Sequence, residues 1–261
     1  IKNCKLGFDP NLFTFKKLKY YFSKNNKLIS INNNLIDKIF KNKSKPKKPF
    51  FSLDKKITGE CHKSKIKKIV NFLKLNKTDY LFVSAPENVA WLLNIRGYDN
   101  PTSPIPNARL IIGKNKKLLL FTQKNNIIKI IKEKKIMHNQ VFDFLNFKEL
   151  IEKLNGSCFI IDSHSCSVFA EKIIKSKFKI RAKEDPIYKL KSIKSSSEIK
   201  NMIEAHKKDG LALTKFIYWL KNINKKSITE VDAQNKLEKF RKMNRDYLYP
   251  SFNTIAGTGS N

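Results

Sequence analysis

The sequence has few glycines, few arginines and few acidic residues. Of 261 residues, 8 are glycine, 22 are acidic and 2 are tryptophan, and only five of the 54 basic residues are arginine. It contains no glycine-rich phosphate loop, no dinucleotide-binding turn, no H-E-x-x-H motif and no G-x-S-x-G nucleophile elbow. These absences exclude the enzyme classes that depend on those motifs. No run of about 18 apolar residues occurs, so we expect no membrane span.

Cysteine is also scarce, and its spacing does not indicate a site. The chain has four cysteines, none in a C-x-x-C pair: Cys4, Cys61, Cys158 and Cys166. A chain of this length can bury a core without a disulfide framework, so we expect free thiols and a reducing, cytoplasmic location. Cys61 beside His62, and Cys158 with His164 and Cys166, lack the spacing of structural zinc sites. We therefore expect no metal site among these residues.

The charge is strongly one-sided but evenly spread. The net charge is +32, made up of +12 in residues 1–56, +12 in residues 57–185 and +8 in residues 186–261. Direct reading of DNA bases favours arginine, whose planar fork grips guanine, whereas this sequence is rich in lysine. We interpret the charge as solvated lysine faces. Nucleic-acid binding stays an alternative, and we expect it to be nonspecific if it occurs at all.

Residues 57–185 alternate between helical and strand patterns. A helix is predicted over residues 60–75, with Ile66, Ile69, Val70 and Leu73 facing inward. A buried strand at 80–83 and a helix at 86–94 follow. A hairpin joins strands at 108–112 and 117–121, and three more helix–strand alternations include a strand at 158–161. This order predicts an α/β layer architecture.

The flanking stretches have a different character. Residues 1–45 are predicted to hold a helix at 12–22, a strand at 27–31 and a helix at 35–40, before a basic, proline-containing linker. Ser195 and Glu198 form a capping box that predicts a long helix. Thr229 begins a second helix that runs to about Met243, and residues 252–255 are predicted to form a strand. On the long helix we expect these side chains to face inward: Ile199, Met202, Ile203, Ala205, Leu211, Leu213, Phe216, Ile217 and Leu220.

No catalytic group is evident from the residues alone. His164 has Asp162, Ser163 and Ser165 as neighbours, but adjacent residues at a strand end point in different directions and do not make a triad. We therefore expect no catalytic residue in this chain. The chain starts at Ile1 and stops at a turn-like glycine-containing stretch, so we also expect it to be a segment of a longer protein.

Several stretches resemble the three-domain Xaa-Pro aminopeptidases of the creatinase/prolidase superfamily. Residues 88–97, N-V-A-W-L-L-N-I-R-G, with Asp99 and the prolines after it, are similar to that family's I-A-W-L-L-N-x-R-G-x-D segment. Residues 186–194, P-I-Y-K-L-K-S-I-K, resemble the opening of its catalytic domain. Residues 228–233, 237–241 and 251–259 are similar to its T-E-x-x-A, L-E-x-F-R and S-F-x-T-I-x-x-T-G segments. A weaker similarity covers residues 6–10 and 34–40.

The resemblance implies a division into domains. Residues 1–45 would be the C-terminal tail of a first creatinase-like domain, and residues 46–56 a linker. Residues 57–185 would be a middle creatinase-like α/β domain of ribonuclease H-like type. Residues 186–261 would be the truncated start of an α+β pita-bread catalytic domain.

The resemblance also implies an activity. Members of this family remove the N-terminal residue that precedes proline, using two divalent metal ions, usually manganese, that hold a hydroxide nucleophile. The family's metal ligands follow its T-G-x-N turn, so we carry no ligand over, and Asp209, Asp232 and His206 are not proposed as ligands. We expect the fragment itself to be inactive and to hold no metal. For the parent we expect proline-containing peptides as substrates and a homodimer.

A few residues of this chain are expected to contact substrate. They are Arg96 and Asp99 in the loop after the signature stretch, and Phe252, Asn253 and Thr254 near the C-terminus. The alternative for the loop is that Arg96 and Asp99 pair with each other and only hold it in shape. For residues 252–254 the alternative is a packing role.

Two other functions remain open for the parent protein. It could be an Xaa-Pro dipeptidase, which the tail of an extra domain before residue 57 argues against. It could also be a non-catalytic interaction protein that kept the scaffold and lost the site.

Overall fold

The computed structural model describes residues 3–22, 25–31, 33–40, 48–224 and 228–260. The chain begins with a β–α–β unit in which β1 (Lys5–Phe8) and β2 (Lys27–Ser30) pair in parallel and α1 (Phe15–Phe22) connects them. The short helix α2 (Leu35–Ile39) follows, and the side chain of Asn34 caps it. These elements confirm the predicted helix–strand–helix order. Residues 41–47, which include the start of the expected linker at 46–56, lie outside the described residues.

The next elements build an α/β unit. In chain order they are β3 (Phe51–Ser52), α3 (Lys55–Thr58), α4 (His62–Leu75), β4 (Tyr80–Val83), α5 (Pro86–Leu93), β5 (Ile95–Arg96), β6 (Arg109–Gly113), β7 (Leu118–Phe121), α6 (Lys124–Lys132), β8 (Val141–Phe142), α7 (Phe147–Glu152), β9 (Cys158–Ile161), α8 (Val168–Lys175) and β10 (Lys179–Ala182). The sequence pattern is thereby confirmed, including the hairpin and the three later helix–strand alternations.

Six of these strands form one mixed sheet. Its order is β10-β9-β4-β6-β7-β8, with β10, β9 and β4 parallel, and with β6 antiparallel to both of its neighbours. β3 and β5 form a separate antiparallel pair. Phe50 is fully buried, and its N–H donates to the carbonyl of Asn126 at 2.7 Å. The second half of the expected linker at 46–56 is therefore packed onto this unit.

The strand β4 shows why the sheet has a core on each face. All four of its side chains are buried, and because successive residues of a strand point to opposite faces, they divide between two layers. Leu81 and Val83 join the aliphatic layer formed with α4, α5 and α6. Tyr80 and Phe82 join an aromatic layer with Phe147 and other residues of α7 and α8. Strands covered on both faces read as continuous apolar runs, as this one does.

The first unit is attached to the middle unit through α8. The N–H groups of Val168 and Phe169, at the start of α8, donate to the carbonyls of Phe13 and Pro10 at 2.8 and 2.9 Å. N–H groups in the first turn of a helix have no partner within that helix, so the carbonyls of the first unit cap α8.

After residue 185 the chain is mainly helical. The elements are α9 (Pro186–Ser192), α10 (Ser196–Asn222) and α11 (Glu230–Lys242). Both capping boxes are present: Ser195 pairs with Glu198 at the start of α10, and Thr229 pairs with Asp232 at the start of α11. The predicted starts of both helices are confirmed.

The expectation that α10 buries its apolar face is wrong for the described residues. Within α10 only Ala212 is buried, while Met202 is 56% and Leu211 58% exposed. The cause is geometric: α11 packs against one side of α10, α3 meets its start, and no sheet of the described residues covers the rest. The other inward-facing residues of the prediction that are exposed are Ile199, Ile203, Ala205, Leu213 and Ile217.

The predicted strand at 252–255 is also wrong. Residues 252–255 have no regular structure, and Phe252 and Ile255 are 68% and 94% exposed. A strand needs a hydrogen-bonding partner strand, and none of the described residues provides one here.

No helix in the described part of the chain is long and apolar enough to cross a membrane. Cys61, Cys158 and Cys166 are not joined in disulfides, and the last two are buried.

We predict that Leu81→Ala lowers the free energy of unfolding by about 2–5 kcal/mol, since it leaves a cavity in the central strand. Leu145→Ala is the matched control, because Leu81 is 0% and Leu145 is 91% exposed. The control is expected to change stability by less than about 0.5 kcal/mol. Urea unfolding followed by circular dichroism measures both, and equal losses in the two variants would contradict this core.

Candidate functional site

The signature stretch at residues 88–97 builds a helix end, not an open binding surface. α5 stops at Asn94, which adopts a left-handed conformation with φ 52° and ψ 45°. Asparagine tolerates this conformation better than most residues, which explains its place here. Its side-chain amide donates to the carbonyl of Glu60 at 2.8 Å. The turn therefore fixes the direction in which the chain leaves α5.

A buried lysine holds this helix end. Lys65 of α4 is 1% exposed, and its Nζ donates to the carbonyl of Trp91 at 3.0 Å and to Oδ1 of Asn94 at 2.7 Å. The same Nζ lies 3.8 Å from the centre of the Trp91 ring, a cation–π contact. The cation thus sits at the C-terminal end of a helix, where the helix dipole favours it.

Burial shifts the titration of this lysine. Burial lowers the pKa of Lys65 to about 8, and the charges of Glu198 and Glu60 oppose the shift. Glu198 lies in the first turn of α10, so this helix contributes to the electrostatics of the site.

Arg96 and Asp99 do not form an ion pair in the structure. The half-buried Arg96 donates through Nη1 to the carbonyls of Ala90 and Ile95, at 3.2 and 2.8 Å. Asp99 accepts the N–H of Asn107 at 2.6 Å through Oδ2. The pairing alternative is therefore wrong in its detail: Asp99 holds the loop through the N–H of Asn107, whereas Arg96 is bound to backbone carbonyls of α5 and β5.

Glycine is required at position 97 by close approach. A Cβ there would lie 2.8 Å from Cα of Pro106 and 3.0 Å from the Phe50 ring. The two ends of the loop can pass this closely only without a side chain.

The loop faces the C-terminal stretch across a cleft. This loop–helix cleft, of about 650 Å³, is bounded by Thr102 and Pro104 of the loop and by α10, α11 and residues 244–251. Tyr98 of the loop and Tyr249 meet edge to face, with ring centres 6.4 Å apart. The loop is therefore brought together with the stretch that directly precedes the predicted residues 252–254.

The predicted residues themselves stand outside the cleft wall. Phe252, Asn253 and Thr254 are exposed, and Ser251 is the last residue that lines the cleft. The lining residues that sequence reasoning missed are Tyr247 and Tyr249. Their signal in the sequence was the pattern Y-L-Y-P, two aromatics just before a proline.

A buried polar cluster fixes α5 from its other end. Asp185, 2% exposed, caps α9 by accepting the N–H of Ile187 at 2.9 Å and accepts the amide of Asn88 at 2.8 Å. Asp162, equally buried, accepts the N–H of Asp185 at 3.0 Å. Lys191 donates to Oδ1 of Asn88 at 2.6 Å. The chain after residue 185 is thus hydrogen-bonded directly to the signature helix.

The other candidates have structural partners. His164 contacts Nζ of Lys16 at 2.7 Å through Nε2. Asp209 holds Arg241 through two hydrogen bonds, of 2.7 and 3.1 Å. The carboxylate of Asp232 accepts the N–H of Thr229, the N-cap of α11, at 2.9 Å, and His206 contacts the carbonyl of Met202.

The described residues do not fit a metal centre. No group of three or more His, Cys, Asp or Glu among them could hold a metal ion.

Comparison with known proteins assigns the family. Residues 41–198 match the family model of the creatinase/prolidase N-terminal domain. The chain belongs to the creatinase/prolidase family. This confirms the recognition from the signature stretches, and the α/β fold class is confirmed with it.

Within that family the chain is similar to Xaa-Pro aminopeptidases. It is 30% identical to a probable Xaa-Pro aminopeptidase P of Laccaria bicolor, over 99% of this chain and 42% of the relative. It is 28% identical to Xaa-Pro aminopeptidase 1 of Dictyostelium discoideum, over 100% of this chain and 44% of the relative. The chain spans less than half the length of these relatives.

Solved structures share the fold. An X-prolyl aminopeptidase from Caenorhabditis elegans, described as a cytosolic enzyme with a di-nuclear active site, superimposes with a TM-score of 0.82 at 22% identity, over 98% of this chain and 44% of that one. An Xaa-Pro dipeptidase from Bacillus anthracis gives a TM-score of 0.54 at 16% identity, over 70% of this chain and 49% of that one.

We predict that Trp91 reports the titration of Lys65. In a Trp219→Phe background, Trp91 fluorescence should change with a midpoint near pH 8, where the pKa of Lys65 lies. Because the folded state binds this proton more weakly than the unfolded state, stability should also rise from about pH 8 towards pH 10.5. Lys65→Met should abolish both effects and Lys236→Met neither. An unchanged titration in Lys65→Met would contradict the assignment.

We predict a separate pH effect at Asp185. Burial raises the pKa of this carboxyl to about 6 from 3.8, against the hydrogen bonds of Ile187 and Asn88. The folded state therefore binds the proton more tightly, and the ionised carboxyl destabilises it increasingly as pH rises through this window. Asp185→Asn should gain stability relative to the wild type between pH 4 and 6.5, by at most about 3 kcal/mol. Urea unfolding measures this, with the exposed cap variant Asp143→Asn as the control; parallel curves for Asp185→Asn and wild type would refute it.

Proposed function

We propose that this chain is part of a metal-dependent Xaa-Pro aminopeptidase that removes the N-terminal residue preceding proline. One observation carries the proposal: the similarity to proteins of that name extends over 99% of the chain, from the first unit to the stretch after α11. Similarity confined to the middle unit would have supported only a shared domain. The membership in the creatinase/prolidase family supports the same reading.

We further propose the domain division given by the sequence. Residues 57–185 act as the middle domain, which is supported by a sheet covered on both faces. Residues 1–45 belong to a first domain, residues 46–56 link the two, and residues 186–261 open the catalytic domain. The parallel pair of β1 and β2 supports the assignment of residues 1–45 to a first domain, because parallel strands are normally part of larger sheets covered on both faces.

The catalytic metals are proposed to bind outside the described residues. Two divalent ions, with manganese expected, would polarise the scissile carbonyl and supply the hydroxide nucleophile in the longer protein. The exposed apolar side chains of α10 support this arrangement, since a helix with such a face normally packs against further structure. On this proposal the 261 residues alone have no peptidase activity.

The proposed role of this chain in the reaction is to shape the substrate side. Asp99 holds the loop after β5 through the N–H of Asn107, and Arg96 is bound at the start of that loop to the carbonyls of Ala90 and Ile95. Phe252, Asn253 and Thr254 are accessible to a ligand, and we retain all five as substrate-side residues. A homodimer, a cytoplasmic location and proline-containing peptide substrates complete the proposal.

The test is peptide hydrolysis by the longer protein that contains this chain. We expect release of a single residue from an X-Pro-Y-Z peptide, no release when alanine replaces the proline, and loss of activity with a chelator that added manganese restores. Mass spectrometry of the products measures all three.

The same assay separates the competing functions. A dipeptidase would cleave only the X-Pro dipeptide. A non-catalytic scaffold would cleave neither peptide at any manganese concentration. Either result would overturn the proposed function.

A further inference from the structure

The first turns of α10 lie close to the corner between α3 and α4. Gly59 ends α3 with φ 71°, and a Cβ at this position would lie 2.3 Å from Oγ of Ser195, the N-cap of α10. Further along the helix, Asn201 donates through its amide to the carbonyls of Lys56 and Ile57 at 3.4 and 3.3 Å. Since most of α10 is exposed, this corner fixes where the helix leaves the middle unit.

A chain of hydrogen bonds runs from this corner to the buried ammonium of Lys65. Glu60 follows Gly59, and its carbonyl accepts a hydrogen bond from the side-chain amide of Asn94 at 2.8 Å. Oδ1 of the same Asn94 accepts one from Nζ of Lys65 at 2.7 Å. The start of α10 and Lys65 therefore lie at the two ends of one contiguous network, through which a shift at one end acts on the other.

The charges around Lys65 are unevenly balanced. Those that act on it are Glu60 before α4, Lys68 on α4, Arg96 on β5 and Glu198 on α10. Glu60 is already paired with Lys68 at 2.7 Å. Within the described part of the chain Glu198 forms no direct ion pair, so its charge is the one left to face Lys65 and Arg96.

The capping box of α10 fixes the carboxylate of Glu198. Its Oε2 accepts the N–H of Ser195 at 2.8 Å. Burial lowers the pKa of Lys65 to about 8 and also lowers that of Arg96, and the charge of Glu198 opposes both shifts. The N-terminus of a helix carries a partial positive charge, which alone would repel the two cations. Glu198 reverses the sign of the charge that α10 presents to the middle unit.

We propose that Glu198 is a positioning residue that seats α10 on the middle unit through its charge facing Lys65 and Arg96, and that this seat loosens when Lys65 loses its proton. The two effects are linked: the carboxylate favours the protonated amine, so the protonated amine favours the seated helix by the same factor. The seat is therefore held below about pH 8 and weakens as the pH rises through that value. This is a local equilibrium of the folded chain, separate from its stability against unfolding. It makes the position of the helical part pH-dependent, whatever reaction the longer protein carries out.

Trp91 fluorescence tests the electrostatic half of the proposal, in the 261-residue chain with Trp219→Phe. Glutamine completes a capping box as glutamate does, so Glu198→Gln removes the charge and keeps the cap. The midpoint near pH 8 should fall by at least about 0.5 pH unit. Asp232→Asn, which makes the same change in the capping box of α11, is the control and should leave the midpoint in place. An unchanged midpoint in Glu198→Gln would overturn the assignment.

Amide hydrogen exchange, measured by mass spectrometry, tests the position of α10 itself. At pH 7, Glu198→Gln and Lys65→Met should each speed exchange in residues 199–205 about 3-fold, the factor that corresponds to a shift of about 0.5 in pH. Combining the two should add little further, because both remove one interaction. In the wild type this segment should lose protection between about pH 7 and 9, after correction for intrinsic exchange, and Lys65→Met should not show this loss. Additive effects of the two substitutions, or equal pH dependence in the wild type and Lys65→Met, would overturn the proposal.

Discussion

The left-handed end of α5 at Asn94, held by the buried ammonium of Lys65, is the constraint on which the site depends. It sets the direction of the chain into β5 and the loop between residues 97 and 106. Without that direction, Gly97 would not pass beside Pro106 and Tyr98 would not reach Tyr249. A buried cation is normally unfavourable, so two hydrogen bonds and the Trp91 ring are needed to hold it.

The same short helix is anchored at its other end. Asn88 accepts a hydrogen bond from Lys191 and donates one to Asp185. These two bonds tie the start of α5 to the cap of α9. One eight-residue helix therefore connects the sheet, the loop and the helical part that follows. This explains why most side chains of the signature stretch serve packing and hydrogen bonding.

The sequence predicted the α/β unit well because its signals are local. The strand at 80–83 and the capping box at Ser195 depend on neighbouring residues only, and both are confirmed. The inward face of α10 and the strand at 252–255 failed because each requires a partner that the described residues do not supply. Lys65 could not be picked out from the sequence, since nothing local distinguishes it from the other lysines of α4; only the fold brings it under Trp91. Tyr247 and Tyr249 likewise become part of a cleft only because the fold places them beside the loop.

The central claim is that this chain supplies a scaffold, and that the metals are bound elsewhere in the longer protein. Metal content by mass spectrometry after manganese loading and gel filtration tests it most directly. The account predicts no stoichiometric manganese on the 261-residue chain and two ions per copy of the longer protein. Two tightly bound ions on the 261-residue chain, or none on the longer protein, would contradict it.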